Sequence, residues 1–201
     1  MANQVLLISP YGEDLAGCFH PDDHIEWRGE PCLDLQTDTA QYDWIVSYGC
    51  RKIIRDPWLT IYRGRIVNLH ISYLPFNKGS DPNFWSWFDG TTKGITVHEI
   101  NRGLDTGPIY DQIEINFKNP NIHTLATSYN NLRKAAPIFF DYVWSNIRKG
   151  VVTPKPQTGP NGTYPKSADK ERFMKIIPLG WDTPVKDIIL LGERERAGVI
   201  Q

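Results

Sequence analysis

Two short apolar runs that end in polar chemistry constrain this chain more than anything else in it. They are Val67-Asn68-Leu69-His70-Ile71-Ser72-Tyr73-Leu74-Pro75 and Gly94-Ile95-Thr96-Val97-His98, the second followed by Gly103-Leu104-Asp105-Thr106-Gly107-Pro108-Ile109. Both read as strands, and as neighbours. Asn68 and His70 stand two residues apart, so on an extended backbone their side chains leave on the same face. Asp105 sits in a glycine-rich loop where sharp turns cost little, which lets its carboxylate lean toward His70. An amide donor beside a carboxylate-oriented imidazole suits acyl transfer. The donors meet a developing oxyanion, and the imidazole–carboxylate pair handles the proton lost by an attacking amine.

The rest of the chain supplies a frame for such a site. Gln4 to Ser9 is an apolar run stopped by Pro10 and Gly12, as in a buried strand. A helix or partial helix follows between Tyr11 and Phe19, and His20 to Gln36 holds one short strand among loops. Tyr42 to Tyr48 is a further central strand, Asp56-Pro57-Trp58-Leu59 opens a helical turn, and Arg65 to His70 is the next strand. Asn83 to Phe88 reads as an aromatic helix and Gly94 to Ile100 as a strand. The clearest helix is His123 to Lys149, ended by Gly150 and expected to kink or break near Ala136 because of Pro137. Strands interleaved with helices, with chemistry at strand ends, imply an α/β fold with a mostly parallel sheet.

After Gly150 the texture changes. Pro154, Pro156, Gly159, Pro160, Gly162 and Pro165 crowd together, so residues 1–150 are expected to form the catalytic domain and 151–201 an irregular C-terminal extension packing on it. Within that extension Trp181 to Ile188 reads as a short capped helix, and Gly192 to Gln201 as loosely ordered. The long helix carries Phe139, Phe140, Val143 and Trp144, more apolar surface than one face of a small sheet needs. A homodimer is therefore expected.

Composition excludes several classes. The balance of 22 basic against 23 acidic residues lacks the basic excess of a nucleic-acid binder. Cys18, Cys32 and Cys50 are odd in number and lack CxxC spacing, so they read as reduced thiols of a cytoplasmic protein. No leader-like or membrane-spanning apolar stretch is present. His20, His24 and His123 lack metal-ligand spacing, and no catalytic metal is expected. His98 reads as structural, Ser72 and Thr106 as supports of their loops. No Gly-x-Ser-x-Gly elbow surrounds Ser72, which disfavours a serine nucleophile.

Asn68-x-His70-x-Ser72-x-Leu74-Pro75 followed by Gly103-Leu104-Asp105-Thr106-Gly107 resembles the folate-dependent formyltransferases. That family includes glycinamide ribonucleotide, methionyl-tRNA and nucleotide-sugar N-formyltransferases. The resemblance runs from about Val5 to Asn116. It implies a Rossmann-like formyltransferase fold, catalytic roles for Asn68, His70 and Asp105, and N10-formyltetrahydrofolate as formyl donor. Positions matching the reduced-pterin pocket are Arg51, Ile53 and Ile54, and the loop Asn101, Gly103 and Leu104; ordinary strand-end packing is the competing reading for each. The stretch from Leu74 to Trp87 looks most like the nucleotide-sugar branch, with an amino-deoxysugar nucleotide for surface polysaccharide (O-antigen) biosynthesis as acceptor. Lys78 and Gly79 could meet its phosphates, or Lys78 could be a solvated charge. Ser9, Tyr11 and Gly12 offer a second substrate contact, and Gly162 to Ser167 could also reach the site. Glycinamide ribonucleotide and methionyl-tRNA remain rival acceptors. A non-catalytic folate- or nucleotide-binding relative is the alternative from another class, although decay should have damaged one of the three residues.

Overall fold

The computed structural model describes residues 2–29, 41–158, 167–177 and 179–199. Cys32, with the rest of residues 30–40, and Gly162 to Lys166 lie outside them. Among the described residues six strands form one sheet: β1 (Gln4–Ile8), β2 (His24–Arg28), β3 (Trp44–Tyr48), β4 (Ile66–His70), β5 (Gly94–Glu99) and β6 (Ile109–Glu114), in the order β2-β1-β3-β4-β5-β6. The pairs among β2, β1, β3 and β4 are parallel; β4–β5 and β5–β6 are antiparallel. Val5 to Ile8 and Ile45 to Tyr48 are buried throughout, as central parallel strands covered on both faces must be. The strand β6 has no counterpart in the sequence expectations. It is an edge strand in which Tyr110 is the buried side chain, so it carries little apolar signal.

Alternation along the strands sorts the side chains into two layers. Val5, Leu7, Val46, Tyr48, Val67, Leu69, Ile95 and Val97 face one way, against the long helix α4 (Leu125–Arg148), which contributes Leu132, Ala136, Phe140, Val143, Trp144 and Ile147. Leu6, Ile8, Ile45 and Ile66 face the other way and pack with Tyr42, Ile54, Trp58 and Tyr62, two of them on the short helix α2 (Trp58–Ile61) and its end. The first helix, α1, is a single turn (Gly12–Leu15). At the start of α4, Thr124 and Thr127 cap each other reciprocally, Thr127 N–H donating to Thr124 Oγ1 (3.2 Å) and Thr124 N–H to Thr127 Oγ1 (2.8 Å).

Two expectations about α4 need correction. Of the kink or break expected near Ala136, the break is absent: the helix runs on through Pro137, with side chains on both sides of it, from Leu132 to Trp144, seated on the same sheet. The aromatic surplus offered as a reason for a dimer is used inside the chain. Phe140, Val143 and Trp144 are buried, and Phe19 and Trp44 meet the Trp144 ring edge-on at 5.6 and 5.7 Å. Ile138 and Tyr142 are the exposed apolar positions of that helix.

The segment after Gly150 starts extended, exchanging two backbone hydrogen bonds between Ile109 and Lys155 (2.7 and 2.8 Å). Further on it forms two helices, α5 (Ser167–Met174) and α6 (Val185–Arg196), which close a second apolar cluster over α3 (Pro82–Phe88). Phe84, Trp85, Trp87 and Phe88 meet Phe173, Ile177, Val185, Ile188 and Leu191 there. Helix α6 extends through Arg196, past the Gly192 where order was expected to fade, because Leu191 and Gly192 are seated on α3. A Cβ on Gly192 would lie 1.8 Å from the Phe88 carbonyl oxygen, so only glycine permits this crossing. Arg196 donates to the same carbonyl at 2.6 Å. Gly192→Ala must therefore push α6 off α3, and we expect a loss of about 1–3 kcal/mol, the usual cost of overpacking. Urea unfolding followed by tryptophan fluorescence measures it; an unchanged midpoint would show that α6 does not rest on α3 as described.

Candidate active site

The face of the sheet opposite α4 changes character along its length. In register across the strands, Ile45 and Ile66 are followed by Ser47 and Asn68, then by His70, with His98 opposite Asn68 and Thr96 opposite His70 on β5. The apolar half packs on α2; the polar half carries the chemistry. Thr96 fixes the turn beyond β4, donating to the Ser72 carbonyl (2.7 Å) and accepting from Leu74 N–H (3.2 Å). Ser72 donates to the Phe76 carbonyl at 2.6 Å, so it supports the loop as expected.

The loop between β5 and β6 lays Asp105 over this polar half. Asp105 has φ +48°, a left-handed conformation that aspartate tolerates better than most residues. Close by, a Cβ on Gly107 would meet the Glu99 carbonyl oxygen at 1.8 Å, so the loop can fold back only with glycine there. The Asp105 carboxylate then lies between two imidazoles, Oδ2 at 3.7 Å from His70 Nε2 and Oδ1 at 3.5 Å from His98 Nε2. Gly79 N–H donates to Oδ2 at 2.7 Å. Asn68 Nδ2 is 3.2 Å from His98 Nε2. The three residues singled out from the sequence thus come together, and His98 joins them. Its antiparallel register with Asn68 was invisible without the structure.

Acceptors identify the ring protons. His98 Nδ1 lies 2.7 Å from the Glu99 carbonyl, which can only accept, so Nδ1 carries hydrogen and Nε2 can accept from Asn68. His70 Nε2 faces the Asn77 carbonyl (3.3 Å) and the Asp105 carboxylate, so it too is the protonated nitrogen and Nδ1 keeps the lone pair. Burial holds the His70 imidazole below its ordinary 6.5; Asp105 opposes this, and His98 reinforces it. Burial alone would raise the Asp105 carboxyl. The His70 imidazole and the Gly79 amide outweigh burial and hold it well below the usual carboxylate range. The resting site is thus an ionised carboxylate beside a neutral His70.

The other candidate residues divide. Arg51 and Ile53 are exposed, whereas Ile54 is buried in the α2 core and belongs to packing. Asn101 organises its own loop, its Oδ1 accepting from Gly103 N–H (3.0 Å) and Thr106 Oγ1 (2.7 Å), and Leu104 is exposed. Arg102 pairs with Asp56 at 2.7 Å, which brings the segment after β3 to the loop that carries Leu104. Lys78 is buried rather than solvated, and the Gly79 amide is committed to Asp105. Ser9 is buried with its hydroxyl accepting from Tyr11 N–H (2.9 Å), and Gly12 lies under the Trp27 indole. Tyr11 instead heads a polar-aromatic group: Arg133 stacks over its ring at 4.3 Å and pairs with Asp14 at 2.6 Å, and Tyr129 donates to its hydroxyl at 3.4 Å. Among the described residues no three His, Cys, Asp or Glu side chains are grouped to hold a metal ion.

The His70 environment makes a measurable statement. Its titration midpoint, followed by NMR of ring-labelled histidine, should lie below 6.5, and Asp105→Asn should lower it further by removing the one nearby anion. Because the folded protein binds this proton less readily than the unfolded chain, the site costs stability as pH falls below 6.5. A wild-type midpoint above 6.5 would mean that the carboxylate, not burial, dominates.

Comparison with known proteins agrees with this geometry. Residues 27–141 match the family model for formyl transferase. Methionyl-tRNA formyltransferase of Thermodesulfovibrio yellowstonii is 35% identical over 127 residues, 62% of this chain and 40% of that protein. The dTDP-4-amino-4,6-dideoxyglucose formyltransferase of Mycobacterium tuberculosis H37Rv is 38% identical over 90 residues, 43% of this chain and 38% of that protein. The chain thus spans about two fifths of the length of these curated relatives. The crystal structure of the formyltransferase PseJ from Anoxybacillus kamchatkensis, in complex with UDP-4,6-dideoxy-4-formamido-L-AltNAc and tetrahydrofolate, matches with a TM-score of 0.82 at 38% identity. That match covers 92% of this chain and 97% of the other. With a family model over more than half its length and the Asn–His–Asp constellation assembled, this chain belongs to the formyl transferase family.

Proposed function

We propose that this protein transfers a formyl group from N10-formyltetrahydrofolate to the amine of a nucleotide-linked amino sugar. The observation that carries the acceptor assignment is the match to PseJ, which extends over nearly the whole of both chains and whose partner ligand is a UDP-linked 4-formamido sugar. The methionyl-tRNA relatives match over a shorter stretch of this chain. A formylated amino sugar suits surface polysaccharide assembly, which is cytoplasmic at the nucleotide-sugar stage.

The folate supplies the formyl carbon; the chain's residues do the rest. Ile53 and Leu104, exposed on two segments tied by Arg102 and Asp56, fit the rim of a pocket for a flat heterocycle. One N–H of Asn68 Nδ2 is turned to His98, and the other is available to the formyl oxygen as the amine attacks and charge collects there. His70, neutral at rest, accepts the proton that the attacking amine loses, through Nδ1. The Asp105 carboxylate stabilises the imidazolium so formed. His70 then returns that proton to the departing folate nitrogen as its bond to carbon breaks. Proton and charge balance without a metal. The intact set of polar groups weighs against a decayed, non-catalytic relative.

Asn68→Ala, His70→Ala and Asp105→Ala should each keep wild-type circular dichroism and lose turnover by a factor on the order of 100 or more. The assay pairs purified protein and formyl donor with the 4-amino precursor of the PseJ product, glycinamide ribonucleotide and methionyl-tRNA. Transfer to either of the last two but not the sugar overturns the acceptor assignment, and near-full activity of His70→Ala overturns the mechanism. A strong chelator should leave the rate unchanged; activity lost and restored by Zn²⁺ or Mg²⁺ would contradict that. A homodimer remains part of the proposal on narrower grounds, since Ile138 and Tyr142 are the apolar surface that α4 leaves exposed, at 76% and 60%. A single 23.1 kDa species in light scattering at micromolar concentration would remove it.

A further inference from the structure

One side chain outside the Asn–His–Asp set is arranged in a way that stability alone does not favour. Gln157 lies in the extended stretch after Gly150, 52 residues from Asp105 in sequence. Its Nε2 donates to the Asp105 carbonyl at 2.8 Å and to the Gly107 carbonyl at 2.9 Å. The amide orientation is forced, since the flipped form would aim Oε1 at two oxygens that can only accept. As a result Oε1 is buried with no described partner. A buried orphan acceptor is unfavourable, and such arrangements persist where local geometry matters more than stability.

The clamp holds the loop at its most demanding point. Asp105 is in the left-handed region, and Gly107 admits no side chain against Glu99. Two backbone hydrogen bonds to Ile109 fix residue 155, so Gln157 hangs from a backbone that is itself tied to the start of β6. The two clamped carbonyls flank Thr106, and Asp105 reaches His70 Nε2 at 3.7 Å and His98 Nε2 at 3.5 Å only while this loop stays folded back.

We infer that Gln157 is a positioning residue for the transfer reaction, acting from the C-terminal extension by clamping the loop that presents the Asp105 carboxylate to the two imidazoles. The inference rests on the functional reading above for its effect on turnover, though not for its effect on the site's geometry. It also gives the extension a share in the active site in addition to its packing on α3.

Gln157→Met keeps length and bulk, removes the donor and removes the orphan acceptor. It should leave the thermal midpoint within a few degrees of wild type and lower kcat about tenfold or more with KM changed far less, as expected when a catalytic group is displaced without loss of binding contacts. Gln157→Glu, which turns a carboxylate toward the two carbonyls, should do the same or worse. The readout that a merely structural role would not move is the His70 titration. In Gln157→Met it should shift from the wild-type midpoint toward that of Asp105→Asn, because the carboxylate has withdrawn. Wild-type kcat with a wild-type His70 midpoint in both variants overturns the inference. So does a fall in kcat accompanied by a collapsed thermal midpoint and an unmoved His70, which is the signature of general destabilisation. If the wild type formylates no amine, the functional reading fails, while the His70 shift still decides whether Gln157 positions Asp105.

Discussion

A buried carboxylate organises this molecule. Asp105 is largely taken out of water and remains ionised, which is tolerable because two donors from separate segments converge on it, His70 from β4 and the Gly79 amide from the loop before α3, with His98 of β5 at 3.5 Å from its other oxygen. Each contact constrains a different stretch of chain. The antiparallel pairing of β4 and β5 has to place His98 beside Asn68, the turn after β4 has to return Gly79 to the sheet, and the β5–β6 loop has to double back through Gly107. Shifting β4 or β5 by one residue would send its histidine to the α4 face, where Val67, Leu69, Ile95 and Val97 now pack. The core and the site therefore specify the same register. The apolar alternation that seats α4 on one face is what aligns amide and imidazoles on the other.

The same arrangement sets protonation before any substrate arrives. Two acceptors at His70 Nε2 keep that nitrogen protonated, and burial keeps the ring neutral, so the Nδ1 lone pair is available at neutral pH without first losing a proton to solvent. The carboxylate contributes little to the neutral ring and much to the imidazolium. Its stabilisation is therefore concentrated in the charged state that the proposed transfer passes through, which is where an enzyme gains rate rather than mere affinity. His98 acts differently. Its Nδ1 is committed to the Glu99 carbonyl, leaving Nε2 to hold one hydrogen of the Asn68 amide and so fix the direction of the other.

Much of this was readable in the chain, and the unreadable parts share a cause. Alternation and strand-end punctuation locate β1, β3, β4 and β5, and the 3.6-residue apolar repeat locates α4. Spacing alone places Asn68 and His70 on one face. What local pattern cannot supply is pairing partners. His98 looked structural because its significance lies in sitting opposite Asn68, a fact of register between two strands. The edge strand β6 buries little and so leaves little pattern. Phe140, Val143 and Trp144 looked like a surplus because their covers, Phe19 and Trp44, come from other parts of the chain. Helix α5 read as irregular extension, and α6 as a short helix fading at Gly192, for a similar reason. Their apolar residues are sparse alone and become a core only against the aromatic helix α3, which would otherwise expose Trp85 and Phe88.

The extension is thus joined to the catalytic face by two independent routes, and their physical characters differ. The route through α5 and α6 is apolar and broad, and it bears on the turn after β4 indirectly: Asp81, the residue before α3, pairs with Lys170 of α5 at 2.5 Å, two residues beyond Gly79. The route through residues 155–157 is polar and narrow, Lys155 bonding to Ile109 and Gln157 to Asp105 and Gly107. Apolar packing is tolerant of small displacements, whereas a hydrogen bond to a specified carbonyl weakens steeply with angle and distance. Gly79 and Gln157 hold Asp105 from opposite sides, one at its carboxylate and one at its backbone. A carboxylate tethered only at its tip could rotate about its side chain, and one tethered only at its backbone could swing away from the imidazoles. Both tethers together hold it where Oδ2 meets His70 Nε2.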